Sequence, residues 1–285
     1  MTDYLVYDVF TDTAFGGNPL AIIPDAQGLA EADLQRIARE FNFSETTFVF
    51  PPRQGGDARV RIFTPTMEIP FAGHPTIGTA LALHQRGQVG PDMVLELGVG
   101  PIPVTITDTR AQFVTKVPLK TWPGPSLDVV AASIGHGVDS IRTKTHPPVI
   151  ASVGLPFVLS ELVDDETLAS IQTNTDAFRA FDPEWPTENH YDLLVYTRHG
   201  SKINARMFAP LDGIPEDPAT GSAAAALSAY LGQCDGTSTT FQITQGVDMG
   251  RPSRIRAEVT VENGTPVAVA ISGEAVPTMA GRLLT

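Results

Sequence analysis

A glutamate set among aromatic side chains is the first candidate for chemistry. Glu45 lies in the run Asn42-Phe43-Ser44-Glu45-Thr46-Thr47-Phe48-Val49-Phe50, at a junction that reads as the end of a helix and the start of a strand. Apolar neighbours strip water from a carboxylate and raise its pKa toward the range of a general acid or base. The competing reading is a surface glutamate at the head of a strand. His74, in Gly73-His74-Pro75, is either an acid/base or a histidine at a helix start. Asp217 opens the comparable stretch Asp217-Pro218-Ala219-Thr220-Gly221-Ser222, where Asp217, Thr220 and Ser222 also suit a helix cap.

These last two stretches belong to a repeat. Arg61-Ile62-Phe63-Thr64-Pro65 runs into Gly73 to Ala80, and Arg206-Met207-Phe208-Ala209-Pro210 runs into Glu216 to Ala223. Aligned on Pro75 and Pro218, His74 falls on Asp217, Gly78 on Gly221 and Thr79 on Ser222. A strand, a loop and a helix start therefore recur about half a chain apart, and a cleft between two similar halves is the expected working site. The first N–H groups of a helix lack intrahelical partners and carry partial positive charge, so each helix start is a place for an anion. Glycines at Gly73 and Gly221 let backbone approach a ligand.

Such a site suits the charge of the molecule. The formal net charge is -13, which leaves no basic stripe for nucleic acid, so a small anionic, carboxylate-bearing substrate would need local donors. Cys234 is the only cysteine and reads as a small buried side chain. No disulfide, thiol pair or Cys-rich metal site is available. His84, His136, His146, His190 and His199 have no metal-ligand spacing, and no Walker, GxGxxG or Gly-x-Ser-x-Gly pattern occurs. Neither a metal nor a cofactor is expected. The opening residues lack a basic, apolar leader and no segment reaches membrane-spanning length, so the expected compartment is the cytoplasm. Glu216 reads as solvated, and Asp8, Asp12 and Asp212 read as turn residues.

The elements that must hold these residues are mostly short strands. Strand patterns cover residues 5–10, 19–23, 46–50, 59–63, 93–97, 102–106 and 112–117, with a one-faced helix over 31–41. Residues 73–83 and 220–231 are apolar on all sides and rich in Ala, Gly and Thr, as a helix buried within a curved sheet requires. Strands interleaved with a few helices, without regular βα alternation, predict an α+β protein. The length suits two domains. Pro118-Leu119-Lys120-Thr121-Trp122-Pro123-Gly124-Pro125 reads as the linker between residues 1–117 and 126–285, with the C-terminal strand able to cross back to the first domain.

Five blocks in order resemble the phenazine-biosynthesis PhzF-like family. They are Asp8-Val9-Phe10-Thr11 leading to Phe15-Gly16-Gly17-Asn18-Pro19, then Asn42 to Phe48, Arg61 to Ala80, Glu216 to Ala223, and Gln245-Gly246 with Met249-Gly250-Arg251-Pro252-Ser253. The resemblance implies a fold similar to diaminopimelate epimerase, with two pseudo-symmetric domains, each a barrel-like sheet around a central helix, and a homodimeric assembly. It also implies that Glu45 is the proton shuttle in place of a cysteine, that His74 and Asp217 are polar groups near substrate, and that Ser44, Gly73, Gly221 and Ser222 supply hydrogen bonds. Asn18 would shape the cleft wall, and Met249 to Ser253 reads as a structural turn. The expected activity is a cofactor-independent isomerase that moves a proton on a small carboxylate. A two-base racemase of amino or hydroxy acids and a non-catalytic binding protein are the alternatives. Glu45 has no evident counterpart in the second half, which favours isomerisation over racemisation.

Overall fold

The computed structural model describes residues 1–182, 185 and 190–284. Its chain divides into two compact units, Met1–Val114 with Ile271–Thr285, and Thr115–Ala270. In the first unit, strands β1 (Thr2–Val9), β2 (Asn18–Ile23), β3 (Glu45–Phe50), β4 (Ala58–Phe63), the two-residue β5 (Glu68–Ile69), β6 (Asp92–Leu97), β7 (Gly100–Thr107) and β8 (Arg110–Thr115) accompany helices α1 (Glu31–Phe41) and α2 (Gly73–Gln85). The second unit holds β9 (Lys120–Pro123), α3 (Leu127–Ile134), β10 (Ile141–Arg142), β11 (Val149–Ser152), β12 (Pro156–Leu162), α4 (Asp165–Ala169), α5 (Thr175–Phe181), β13 (Leu193–His199), β14 (Lys202–Ala209), β15 (Ile214–Asp217), α6 (Gly221–Asp235), β16 (Thr239–Gln245) and β17 (Ser253–Glu262). The last strand, β18 (Thr265–Leu283), begins in the second unit and ends in the first.

The first unit closes on itself. Pairing runs β1–β2 antiparallel, β2–β3 parallel, β3–β4 antiparallel, β4–β6 parallel, β6–β7 and β7–β8 antiparallel, and β18 joins β8 to β1. A closed ring leaves no row of unpaired backbone groups. The second unit repeats the order: β11–β12 antiparallel, β12–β13 parallel, β13–β14 antiparallel, β14–β16 parallel and β16–β17 antiparallel. The fold is mixed α+β, with a helix inside each sheet.

Composition explains why those helices can sit there. Every residue of α2 from Gly73 to Leu83 is buried, and α2 touches β1, β2, β3, β6 and β7. α6 packs on β11, β12, β16 and β17 with Ala223 to Ala226 buried. The repeated Arg-x-Phe segment is a matching device on the sheet side. Arg61 lies over the Phe63 ring at 5.1 Å and pairs with Glu68 and Glu31, while Arg206 lies over Phe208 at 5.2 Å and pairs with Glu216.

Several expectations need correction. Residues 118–125 are not a free connection, because β9 forms a ladder with β11. Residues 271–285 belong with the first unit, the crossing that the sequence allowed for the C-terminal strand. Asp8 is a buried residue of β1 that accepts the Phe15 N–H at 2.6 Å, not a turn residue. Glu216 is held by two hydrogen bonds of 2.8 Å from Arg206 instead of being solvated. Cys234 is exposed near the end of α6. Among the described residues, no helix is long and apolar enough to cross a membrane.

A Cβ at Gly78 would meet Val9 Cγ2 at 2.6 Å and Leu20 Cδ2 at 2.7 Å. Gly78→Val is therefore expected to lower stability by about 2 kcal/mol or more through overpacking, measurable as a lower urea midpoint with an unchanged slope.

Candidate active site

In the first unit, strand β3 and helix α2 bring two of the expected residues together. Glu45 is the first residue of β3, and His74 lies in the first turn of α2. His74 Nδ1 stands 3.2 Å from Glu45 Oε2, with side-chain exposures of 3% and 15%. The close approach lacks hydrogen-bond geometry at Oε2, which is sealed from solvent. Desolvation by burial pushes the Glu45 carboxyl up to about 7, against a smaller opposite effect of hydrogen bonding from Ser44. A carboxyl poised there exchanges protons readily at neutral pH in either direction.

Neighbouring contacts fix this pair. The Ser44 hydroxyl donates to Asn18 Oδ1 at 3.1 Å, so the buried Asn18 at the head of β2 holds the residue beside Glu45. Thr47 and Thr79 join their hydroxyls at 2.9 Å, which ties β3 to α2 two residues beyond Glu45. No side chain caps α2 at Ala72, and Gly73 opens the helix with its backbone close to His74. Pro75 in the first turn has no N–H to satisfy.

The second unit builds a different corner from Asp217, Gly221 and Ser222. Asp217 ends β15 and is buried, whereas α6 starts only at Gly221. The proline-anchored alignment thus overstates the likeness, since His74 lies within its helix and Asp217 precedes its own. Thr220 occupies the cap position, yet its hydroxyl does not cap α6. It donates to Asp217 Oδ2 at 2.5 Å. Gln245 Nε2 donates to the Asp217 carbonyl at 2.7 Å and to Thr220 Oγ1 at 3.1 Å, and Gln245 Oε1 accepts the Thr220 N–H at 3.3 Å. The start of α6, with Gly221 buried and Ser222 half-buried, is left without a side-chain cap.

The Gln245-to-Ser253 block now has a structural account. Gly246 has a φ of +74°, and a Cβ there would lie 2.7 Å from Pro218 O and 2.5 Å from Arg251 O. Only glycine lets this turn press against the loop that carries Asp217. Among the described residues, no group of three His, Cys, Asp or Glu side chains is arranged to hold a metal ion.

A family described as "Phenazine biosynthesis-like protein" matches residues 7–281. The chain belongs to that family. An uncharacterized isomerase of Mesorhizobium japonicum is 38% identical, with 99% of this chain and 98% of the relative covered. The trans-2,3-dihydro-3-hydroxyanthranilate isomerase of Pseudomonas fluorescens is 36% identical, with 96% of each chain covered. Among solved structures, a phenazine biosynthesis protein of the PhzF family from Bacillus anthracis superposes with a TM-score of 0.89 at 27% identity, covering 100% of this chain and 99% of the other. A probable proline racemase from Agrobacterium radiobacter shares the fold, with a TM-score of 0.64 at 14% identity over 99% of this chain and 93% of the other. The phenazine biosynthesis-like family and its curated members' names mark the chain as an isomerase with an epimerase-like fold.

Sequence reasoning had missed Gln245, Thr220 and the Thr47–Thr79 pair as positioning groups. Gln245-Gly246 was visible as a block, but a contact spanning 28 residues to Asp217 leaves no local pattern. Two measurements test the corners. Burial raises the folded-state pKa of Glu45 above its unfolded value, so stability falls as pH rises from the ordinary carboxylate range to about 7 and is level above it. Glu45→Gln should therefore be more stable than wild type at pH 8, on the order of 2 kcal/mol, with the difference vanishing toward pH 4 in urea titrations. Gln245→Leu leaves the Asp217 carbonyl and Thr220 N–H without these partners, and should cost about 1–3 kcal/mol in the same measurement.

Proposed function

We propose that the chain is a cofactor-independent isomerase that moves a proton on a small carboxylate bearing an acidifiable C–H, with Glu45 as the shuttle. The observation that carries this reading is the Glu45 carboxyl, sealed beside His74 and held near neutrality by desolvation. The ionised Glu45 takes a proton from substrate carbon. The protonated Glu45 then returns it at another carbon, or an acid such as His74 or Asp217 does so, and a double bond shifts. Ser44, the backbone at Gly73, Gly221 and Ser222 are the proposed substrate-binding groups, and the uncapped start of α6 suits an anion. Oriented donors favour the enolate-like transition state because they need no reorganisation as charge develops.

The substrate class follows from the same chemistry. Relatives named trans-2,3-dihydro-3-hydroxyanthranilate isomerase occur in Pseudomonas fluorescens, Pseudomonas chlororaphis and Pseudomonas aeruginosa. A cyclic amino-carboxylate of that type is the first substrate to offer this chain, and a homodimer is its proposed assembly. Incubation with trans-2,3-dihydro-3-hydroxyanthranilate in D2O should place deuterium at carbon. Glu45→Gln should slow incorporation by about 10²–10⁴-fold, and equal rates in the two proteins would sink the shuttle role. Because abstraction needs the carboxylate, kcat/KM should fall as pH drops below about 7.

A further inference from the structure

Two polar contacts between β3 and α2 lie one above the other. Glu45 and Thr47 are two residues apart on β3, so they project from the same face, and both meet α2. His74 and Thr79 are their partners on the helix. Two residues of strand advance about 6.7 Å and five residues of helix about 7.5 Å, so the contacts form successive rungs between the same two elements. The upper rung does not hold itself in place. His74 Nδ1 stands 3.2 Å from Glu45 Oε2, yet among the described residues Oε2 accepts no hydrogen bond. The lower rung is a hydrogen bond of 2.9 Å between the Thr47 and Thr79 hydroxyls, and both residues are fully buried.

Packing does not account for those hydroxyls. Phe63 of β4 pairs with Thr46, and Phe208 of β14 pairs with Leu193. The two phenylalanines occupy one position of the repeated segment, so Thr47 of the first unit corresponds to Leu194 of the second, which is buried. A sheet around a helix therefore closes equally well on an apolar side chain at this place. Two buried hydroxyls add little net stability over apolar groups of the same shape. What they add is direction, because a hydrogen bond holds at one distance and angle while apolar surfaces can slide.

We propose that Thr47 and Thr79 are positioning residues for the proton transfer: their hydroxyl pair fixes the depth of α2 against β3 and so keeps His74 against the sealed carboxyl of Glu45. The role rests on the reading of Glu45 as the shuttle. Without the pair, α2 is free to shift, water enters beside Oε2, and the carboxyl loses the desolvation that poises its proton.

Carboxyl-carbon NMR of the full chain, labelled at glutamate, tests this without any substrate. The Glu45 signal is the one lost in Glu45→Gln. In the Thr47→Val/Thr79→Val double variant its midpoint should fall from about 7 by about one pH unit, while the urea midpoint changes little. Thr79→Ser keeps a hydroxyl and should titrate as wild type. In the D2O incorporation assay the double variant should show kcat lowered about tenfold or more with little change in KM, and the acid limb of its pH profile should move down with the Glu45 signal. An unmoved Glu45 signal, or an equal shift in Thr79→Ser, overturns the proposal, as does a loss of rate that only follows loss of folded protein. Should the double variant not fold, Thr79→Val alone is read in the same way. If the wild-type chain incorporates no deuterium, the isomerase reading fails, while the NMR signal still decides whether the hydroxyl pair governs Glu45.

Discussion

A helix enclosed by a sheet must present small side chains on every face, and that constraint organises this protein. Gly78 lies so close to Val9 and Leu20 that a methyl group would not fit, and four alanines in succession do the same service in α6. Enclosure also fixes where each helix begins. A helix that runs through the middle of a ring has its first turn at the mouth, next to the ends of the strands. His74 thereby meets Glu45 at the head of β3. Packing of the core and placement of the chemistry are thus one decision.

The same enclosure sets the electrostatics. Low exposure makes the charged form of Glu45 costly, and the group set 3.2 Å from it is a histidine rather than an arginine or lysine. Arginine is handled in the opposite way. Arg61 and Arg206 each lie over a phenylalanine and are neutralised by carboxylates on the neighbouring short strand or helix. Structural charges are matched, while the candidate acid/base groups are left desolvated. Stability given up at Glu45 is the counterpart of a proton that can move near neutral pH.

Much of this was legible in the residues. The strand and helix pattern, the two small-residue helices and the α+β class follow from periodicity, which is a local property. Glu45 was legible because aromatic neighbours in sequence are also neighbours on β3 and α1. The hydrogen bond from Thr220 to Asp217 was not, because Thr220 reads locally as a helix cap. Nor was Gln245, whose side chain reaches back to the Asp217 loop. The proline-rich stretch at 118–125 misled for a related reason. Prolines mark turns, yet Lys120 to Pro123 still pairs as an edge strand with β11, where missing donors cost little.

By itself the sequence determined which segments bury themselves and which residue types could move a proton, since burial pattern and side-chain chemistry are written residue by residue. It also carried the family, through five blocks in a fixed order. Tertiary structure alone decided which of those groups meet. The 3.2 Å approach of His74 to Glu45 and the Gln245–Thr220–Asp217 chain both depend on strand register and ring closure. Those are set by the mutual packing of distant segments, which no local stretch of sequence encodes.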